Sequence, residues 1–408
     1  MKKVLIYTSP ARGHLYPMMD IAIKLKEEGY HVFIQTLSGE KNNVDSEGVE
    51  HLSISPEIET FTLDDYKEKS PISQIKATFR TWLSRAPYEI EDLRESCKML
   101  SPDLLIIDAN TWGAAAFAES GKEPWAMFMP YCLPISSRDT PAFGPGFKPP
   151  ANFIHRLRDR FMNGIVNSAV REIIKEYNQL RDDVGVPKLT QYQEIFVRPQ
   201  LVLYRTAEPF DYPRAEMPEN ILSIGPGLWA PPSETPGWIE EMPKPRILVT
   251  VSTEMQNDRA IIETAIDALA DMRLSLIITT AALDPDSFDS RGENIRIVRY
   301  LPHSTIIPKM DLVITHGGMG TTQRALAAGV PVCVVPWGRD QSETARRVEV
   351  SGAGTMLPKK KLNGKNLLEA VQKAMSLQSG AEAIAEAFAS AGGAELAFKA
   401  IQKIEKES

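Results

Sequence analysis

Ile314-Thr-His-Gly-Gly-Met-Gly-Thr-Thr322 decides how this chain is read. An apolar run over 312–315 ends in it, His316 and two glycines turn the chain, and Gly320 leads into hydroxyls opening a helical pattern over 321–328. A short, wholly apolar run fits a strand covered on both faces, as in a parallel sheet. Glycines let an anionic group approach the backbone, and the following helix offers unpaired N–H groups and the positive end of its dipole. His316 or Thr321 could add side-chain bonds. A turn demanded by packing alone has the same composition, so the neighbours matter. Downstream come a run over 332–335, a turn over 336–339 and Asp340-Gln341, where a carboxylate beside an amide can bridge adjacent hydroxyls of a sugar. Asp340 also suits the N-cap of a helix over 342–350.

Upstream the same alternation holds. A strand over 246–251 is followed by Ser252-Thr253, hydroxyls that either face the same ligand or cap a helix over 258–270. Strands over 274–279 and 295–298 and a helix over 364–375 complete this unit. Before it, 226–245 holds Pro226, Pro231, Pro232, Pro236, Pro243 and Pro245, a semi-extended linker with no regular element. The N-terminal part alternates too, with strands over 3–8, 32–36, 49–54, 104–107, 125–129 and 201–204. Leu15, Met18, Ile21, Ala22 and Leu25 mark its first helix. A Pro- and Gly-rich loop spans 136–152. A long helix follows, its buried stripe read as Ile154, Leu157, Phe161, Ile165, Ala169, Ile173, Tyr177 and Leu180.

This pattern predicts an α/β protein of two doubly wound, Rossmann-like domains facing each other across a cleft. Their bounds are 1–225 and 246–380, with 226–245 between them. A helical tail over 381–408, broken at Gly392-Gly393, is expected to pack back on the first domain. Ligands of such sheets sit beyond the carboxyl ends of the strands.

Composition narrows the classes. With 43% hydrophobic and 24% charged residues over 408, the chain is globular rather than disordered. A net charge of -7 argues against a nucleic-acid binder that works by neutralising phosphates. Cys97, Cys132 and Cys333 are odd in number and far apart, neither a disulfide framework nor a zinc site, which fits a reducing cytoplasm. The apolar run at the start stops at Thr8, too short for an export signal, and no stretch approaches the roughly 20 apolar residues that span a bilayer.

In the first domain, His14 lies in the turn after the first strand, where an imidazole can take a proton at neutral pH; a capping or surface histidine is the plainer alternative. Asp108 ends another strand of that sheet. It either fixes the tautomer of His14 and stabilises its imidazolium, or caps the helix after it.

With these residues in view, the chain resembles the two-domain (GT-B, family-1 type) nucleotide-sugar glycosyltransferases that act on small lipophilic molecules, among them the plant natural-product and bacterial macrolide and antibiotic enzymes. The resemblance implies His14 as catalytic base oriented by Asp108. It implies diphosphate binding by His316, Gly317, Gly318 and Gly320, with hydroxyl help from Thr321, Ser252 and Thr253. It implies sugar reading by Asp340 and Gln341. The donor is of UDP or dTDP type, a co-substrate, with no cofactor and no metal. Acceptor walls are expected at Trp112, Phe128, Tyr131 and Phe143, and the open loop over 136–147 should admit a bulky acceptor.

Two positions depart from the pattern. Where the plant enzymes carry a ribose-binding glutamate, eight residues after the histidine, this chain has Arg324. Where they carry Trp-x-Pro-Gln against the base, it has Tyr300-Leu-Pro-His303. His303 and Arg324 are still expected on the nucleotide, with Arg324 turned to ribose or phosphate rather than to solvent. The function implied is inverting transfer of a sugar to an acceptor hydroxyl. A nucleotide-sugar 2-epimerase and a non-catalytic helper are the alternatives.

Overall fold

The computed structural model describes residues 1–289 and 292–407. Seven strands form the first sheet: β1 (Lys3–Tyr7), β2 (His31–Thr36), β3 (Glu50–Ser53), β4 (Leu104–Asp108), β5 (Trp125–Met129), β6 (Leu201–Tyr204) and β7 (Ile221–Ser223), ordered β3-β2-β1-β4-β5-β6-β7. Six form the second: β8 (Arg246–Thr250), β9 (Ser275–Thr279), β10 (Ile295–Val298), β11 (Leu312–Thr315), β12 (Val332–Val334) and β13 (Gly354–Met356), ordered β10-β9-β8-β11-β12-β13. Every pairing is parallel. In both sheets the strand order reverses beside the first strand, between β1 and β4 and between β8 and β11. A crevice for ligand opens at such a switch point. Register sets what stands there. Tyr7 pairs with Ile107, so Asp108 comes level with the start of the β1 turn. Thr250 pairs with Thr315, so Ser252 and His316 leave the second sheet side by side.

The strands are apolar on both faces because both faces are covered. Leu5, Tyr7, Leu105 and Ile107 pack on one side with Trp112 and Tyr177. Val4, Ile6, Ile106 and Phe128 pack on the other with Leu15, Met18 and Ile21 of the helix Arg12–Glu27. The tail helix Gly393–Glu407 adds Ala397, Phe398 and Ile401 to that second layer, and Tyr30 Oη donates to Glu405 (2.6 Å). The tail therefore lies on the first sheet, although the chain reaches it from the second.

Three expectations need correction. The proline-rich segment holds a single helical turn, Trp238–Glu241. Pro236 precedes that turn rather than interrupting it, and Ile239 is buried. The loop 136–152 is not open: Gly144 and Gly146 N–H donate to Glu343 (both 2.9 Å), and Arg346 donates to Gly146 O (2.7 Å). The long helix, Phe153–Asp183, buries Val166, Val170, Ile173, Ile174 and Tyr177 but leaves Phe153, Ile154, Leu157 and Phe161 exposed. Length is the reason. A helix of 31 residues spans about 46 Å, against about 17 Å for a five-residue strand, so one end overshoots the sheet.

Candidate active site

At the first switch point His14 occupies the first turn of Arg12–Glu27. Its Nδ1 sits 2.8 Å from Asp108 Oδ2 and 3.0 Å from Oδ1. Asp108 has no exposed surface. It also accepts from Ser9 N–H (3.2 Å), Ser9 Oγ (3.0 Å) and Asn110 N–H (2.8 Å). Burial alone would raise the Asp108 carboxyl, but the charge and hydrogen bond of His14, with the two backbone N–H groups, hold it below its usual range. Burial alone would lower His14, and Asp108 outweighs that and holds the imidazole above its ordinary value. An anionic Asp108 draws the proton to Nδ1, leaving the Nε2 lone pair free to accept one.

Sequence reading passed over Asn110. Its Nδ2 donates to His14 Nε2 (3.2 Å), and its carbonyl accepts from Arg85 Nη2 (2.9 Å). Its Oδ1 is buried without a partner. One residue thus touches both members of the pair and caps the Nε2 nitrogen of the imidazole. A polar residue two positions beyond a strand-end Asp was the available signal. Tyr131 also borders His14, ring centroids 6.0 Å apart, with its Oη buried and unpartnered. Trp112 and Phe128 have no exposed surface, which corrects their reading as pocket walls. Trp112 packs against Phe79, Trp82 and Tyr177, and Phe128 lies under Arg205 on the other face of the sheet. Phe143 packs against the core of the second sheet.

At the second switch point the turn after β11 is shaped for close backbone approach. Gly317 has φ +99°, and a Cβ there would lie 2.7 Å from Val334 Cγ1. A Cβ on Gly318 would lie 2.8 Å from His316 Nε2, so any larger residue would push against the imidazole. The helix Met319–Ala327 begins there and includes Gly320 and the half-buried Thr321. Its first turn points unpaired N–H groups toward the crevice. His316 is only 8% exposed; burial and the nearby Arg339 lower its pKa to about 4. It is a neutral group at pH 7 and carries no charge. His303, half-buried with Nε2 3.4 Å from Thr279 Oγ1, is likewise lowered to about 4 by burial and Arg324.

Asp340 and Gln341 differ in fate. Gln341 is committed to the protein: its Oε1 accepts from Trp337 and Gly338 N–H (2.8 and 3.0 Å), and its Nε2 donates to Gln256 (2.6 Å). Asp340 begins the helix Gln341–Val350 without a side-chain capping bond. Burial raises its carboxyl, and the charges of Arg339 and His14 act against that. The charge of His14, on the first sheet, thus reaches Asp340 on the second. Ser252 is buried, its Oγ accepting from Glu254 N–H (3.2 Å) and Gln256 Nε2 (2.9 Å), while Asp258 rather than Ser252 precedes the helix Arg259–Leu269. Thr253 is exposed. Arg339, with φ +52°, joins the two halves, donating to Asp65 (2.9–3.0 Å) and to Glu254 (2.6 Å).

Arg324 has partners that sequence reading did not foresee. Its guanidinium donates to the carbonyls of Leu228 (2.9 Å) and Trp229 (3.2 Å), so it holds the linker against the helix Met319–Ala327. Arg324→Ala should lower stability by about 1 kcal/mol, read as a fall in melting temperature. Donor affinity by calorimetry should stay within about threefold, well under 1 kcal/mol. A loss of affinity beyond about tenfold at unchanged melting temperature would return Arg324 to the nucleotide.

Among the described residues no cluster of His, Cys, Asp or Glu is placed to hold a metal ion, and no helix is long and apolar enough to cross a membrane.

Comparison with known proteins agrees with this architecture. Residues 263–399 match the family model of the erythromycin biosynthesis protein CIII-like C-terminal domain. The 4'-demethylrebeccamycin synthase of Lentzea aerocolonigenes is 30% identical over 386 residues, 91% of each chain. The NDP-glycosyltransferase YjiC of Bacillus subtilis is 26% identical over 98% of this chain and 96% of its own. Among solved structures, the glycotransferase of kitacinnamycin superposes with a TM-score of 0.79 at 18% identity over 98% of both chains. The glycosyltransferase VinC in complex with dTDP superposes with a TM-score of 0.72 at 20% identity over 100% of both. The two-sheet arrangement is thus the GT-B fold.

Proposed function

The chain belongs to the family of natural-product glycosyltransferases that use nucleotide sugars, and from that membership we propose that it transfers a sugar, with inversion, from a UDP- or dTDP-type donor to a hydroxyl of a small lipophilic acceptor. The observation that carries this reading is the His14–Asp108 pair at the first switch point; a glycine turn opening a helix stands at the second. The acceptor O–H gives its proton to His14 Nε2 once the amide of Asn110 yields that nitrogen. The acceptor oxygen attacks the anomeric carbon from the face opposite the diphosphate. The bond to the diphosphate oxygen breaks, and the nucleoside diphosphate leaves with the electron pair. One displacement inverts the anomeric centre. Asp108 stabilises the imidazolium. The N–H groups at the start of the helix Met319–Ala327 offer hydrogen bonds to the departing charge. Asp340 is the better candidate for the donor sugar, since Gln341 is already bonded within the protein.

Incubating the protein with a panel of nucleotide sugars and phenolic or macrolide acceptors, read by mass spectrometry, tests this. A glycoside is expected. Donor consumption without any acceptor would favour 2-epimerisation, and donor binding without turnover a helper role. On this reading activity should also survive EDTA, because the backbone N–H groups at the start of the helix Met319–Ala327 would do for the diphosphate what a cation would do. Loss of activity restored by magnesium or manganese would contradict that assignment.

A further inference from the structure

We propose that the exposed N-terminal turns of the helix Phe153–Asp183, with the arginine-lined hollow beside them, form a docking surface for an anionic lipid bilayer. Phe153, Ile154, Leu157 and Phe161 are 75, 73, 56 and 67% exposed. At roughly 100° per residue they fall within an arc of about 100° on one face of the helix. Arg156 and Arg160 follow one edge of that stripe and Arg158 the other. Long cationic side chains flanking an apolar stripe are the arrangement that lets apolar groups enter the acyl boundary while the charges stay at the headgroups.

Charge supports a lipid over another protein surface. The chain as a whole is acidic, at -7, yet from 148 to 171 it carries Lys148, Arg156, Arg158, Arg160 and Arg171 against a single acid, Asp159. Asp159 is buried and paired with Arg158 (2.8 Å). A hollow of about 320 Å³ opens beside the stripe, with Ser136, Arg138, Arg156 and Arg160 on its wall. None of these three arginines has a carboxylate partner among the described residues, although Glu216 and the Arg158-paired Asp159 also reach the wall. Unpaired guanidinium groups with a hydroxyl suit a phosphate headgroup, and juxtamembrane basic groups are attracted to anionic leaflets.

The benefit of such a surface rests on the reading above that the acceptor is lipophilic, whereas the binding itself does not. The loop that starts at Tyr131, against His14, passes under this helix, where Asn163 Nδ2 donates to Ser136 Oγ (2.7 Å). An acceptor dissolved in the bilayer would thus be delivered beside the base.

Flotation of the full chain with vesicles of phosphatidylglycerol and phosphatidylcholine, and with phosphatidylcholine alone, tests the proposal. Binding is expected to the mixed vesicles only, weakening as salt rises. Leu157→Asp with Phe161→Asp, and separately Arg156→Glu with Arg160→Glu, should each weaken it by at least about tenfold. Both pairs should keep the wild-type melting profile and the wild-type rate on a water-soluble acceptor without vesicles, so failure of the docking surface and failure of the transferase reading are separate results. Absence of vesicle binding would overturn the proposal. So would a concentration-dependent dimer, abolished by Leu157→Asp with Phe161→Asp, in a protein that ignores vesicles; that result would assign the face to a second copy. Vesicle binding that needs the arginines but tolerates both aspartates would overturn the insertion of the apolar stripe.

Discussion

His14→Ala should reduce turnover of an unactivated alcohol by about 10²–10⁴-fold, the usual contribution of a general base, while the donor still binds. The groups proposed to face the donor lie on the other sheet, in the turn after β11 and the helix Met319–Ala327, and none bonds to His14. The variant should fold, because Asp108 keeps Ser9 and the Asn110 N–H as hydrogen-bond donors. Steady-state kinetics and donor calorimetry on one preparation separate the two effects. Near-wild-type turnover would remove His14 from the chemistry, and loss of donor binding would make its role structural.

Asp108→Asn should be almost as damaging, about 10²–10⁴-fold, by changing the tautomer rather than removing the base. An amide can place its NH₂ toward Nδ1, which forces the proton to Nε2 and leaves no lone pair for the acceptor. The same substitution should alter the pH profile. If His14 is the base it works when neutral, so activity should fall as pH drops through the His14 pKa, which Asp108 holds above the ordinary value of about 6.5. Without the carboxylate charge, that acid limb should move to lower pH. Stability has a limb from each group. A folded pKa above the unfolded one means that the contribution of His14 is full below the unfolded pKa and fades as pH rises through the folded one, whereas Asp108, held below its usual range, contributes above its unfolded pKa and loses that contribution as pH falls through the folded one. A variant with normal specific activity but a collapsed melting temperature would make Asp108 a structural carboxylate.

Most of the two sheets could be read from short apolar runs, because a strand buried on both faces has no reason to alternate. β7 and β13 escaped because neither makes an apolar run: Ile221-Leu222 ends at Ser223 and Gly354-Thr-Met has none, whereas the equally short β12 is wholly apolar. The helix Pro71–Leu100 was passed over; it runs through Pro87 and buries Arg85 and Glu89 beside apolar residues, which blurs its stripe. The exposed end of the helix Phe153–Asp183 misled for a different reason. Periodicity reports that one face is apolar, not whether anything covers it.

The candidate site was legible where backbone geometry alone sets a residue's place. A histidine after β1 and an aspartate ending β4 meet because parallel register brings them level at a switch point, and His316 with its glycines follows the same rule. It was not legible where a side chain chooses among partners. Arg324 found the carbonyls of Leu228 and Trp229, Gln341 found Gln256 and its own turn, and Asn110 bridged both members of the pair. Nothing in spacing distinguishes those choices from binding a ligand.

The central claim is that His14 takes the acceptor's proton. The measurement that tests it most directly is the wild-type to His14→Ala rate ratio with one donor and two acceptors, an aliphatic alcohol and an acidic phenol. A ratio of about 10²–10⁴ for the alcohol, collapsing to within about tenfold for the phenol that already supplies its anion, is the predicted result. An equal ratio for both acceptors would contradict it.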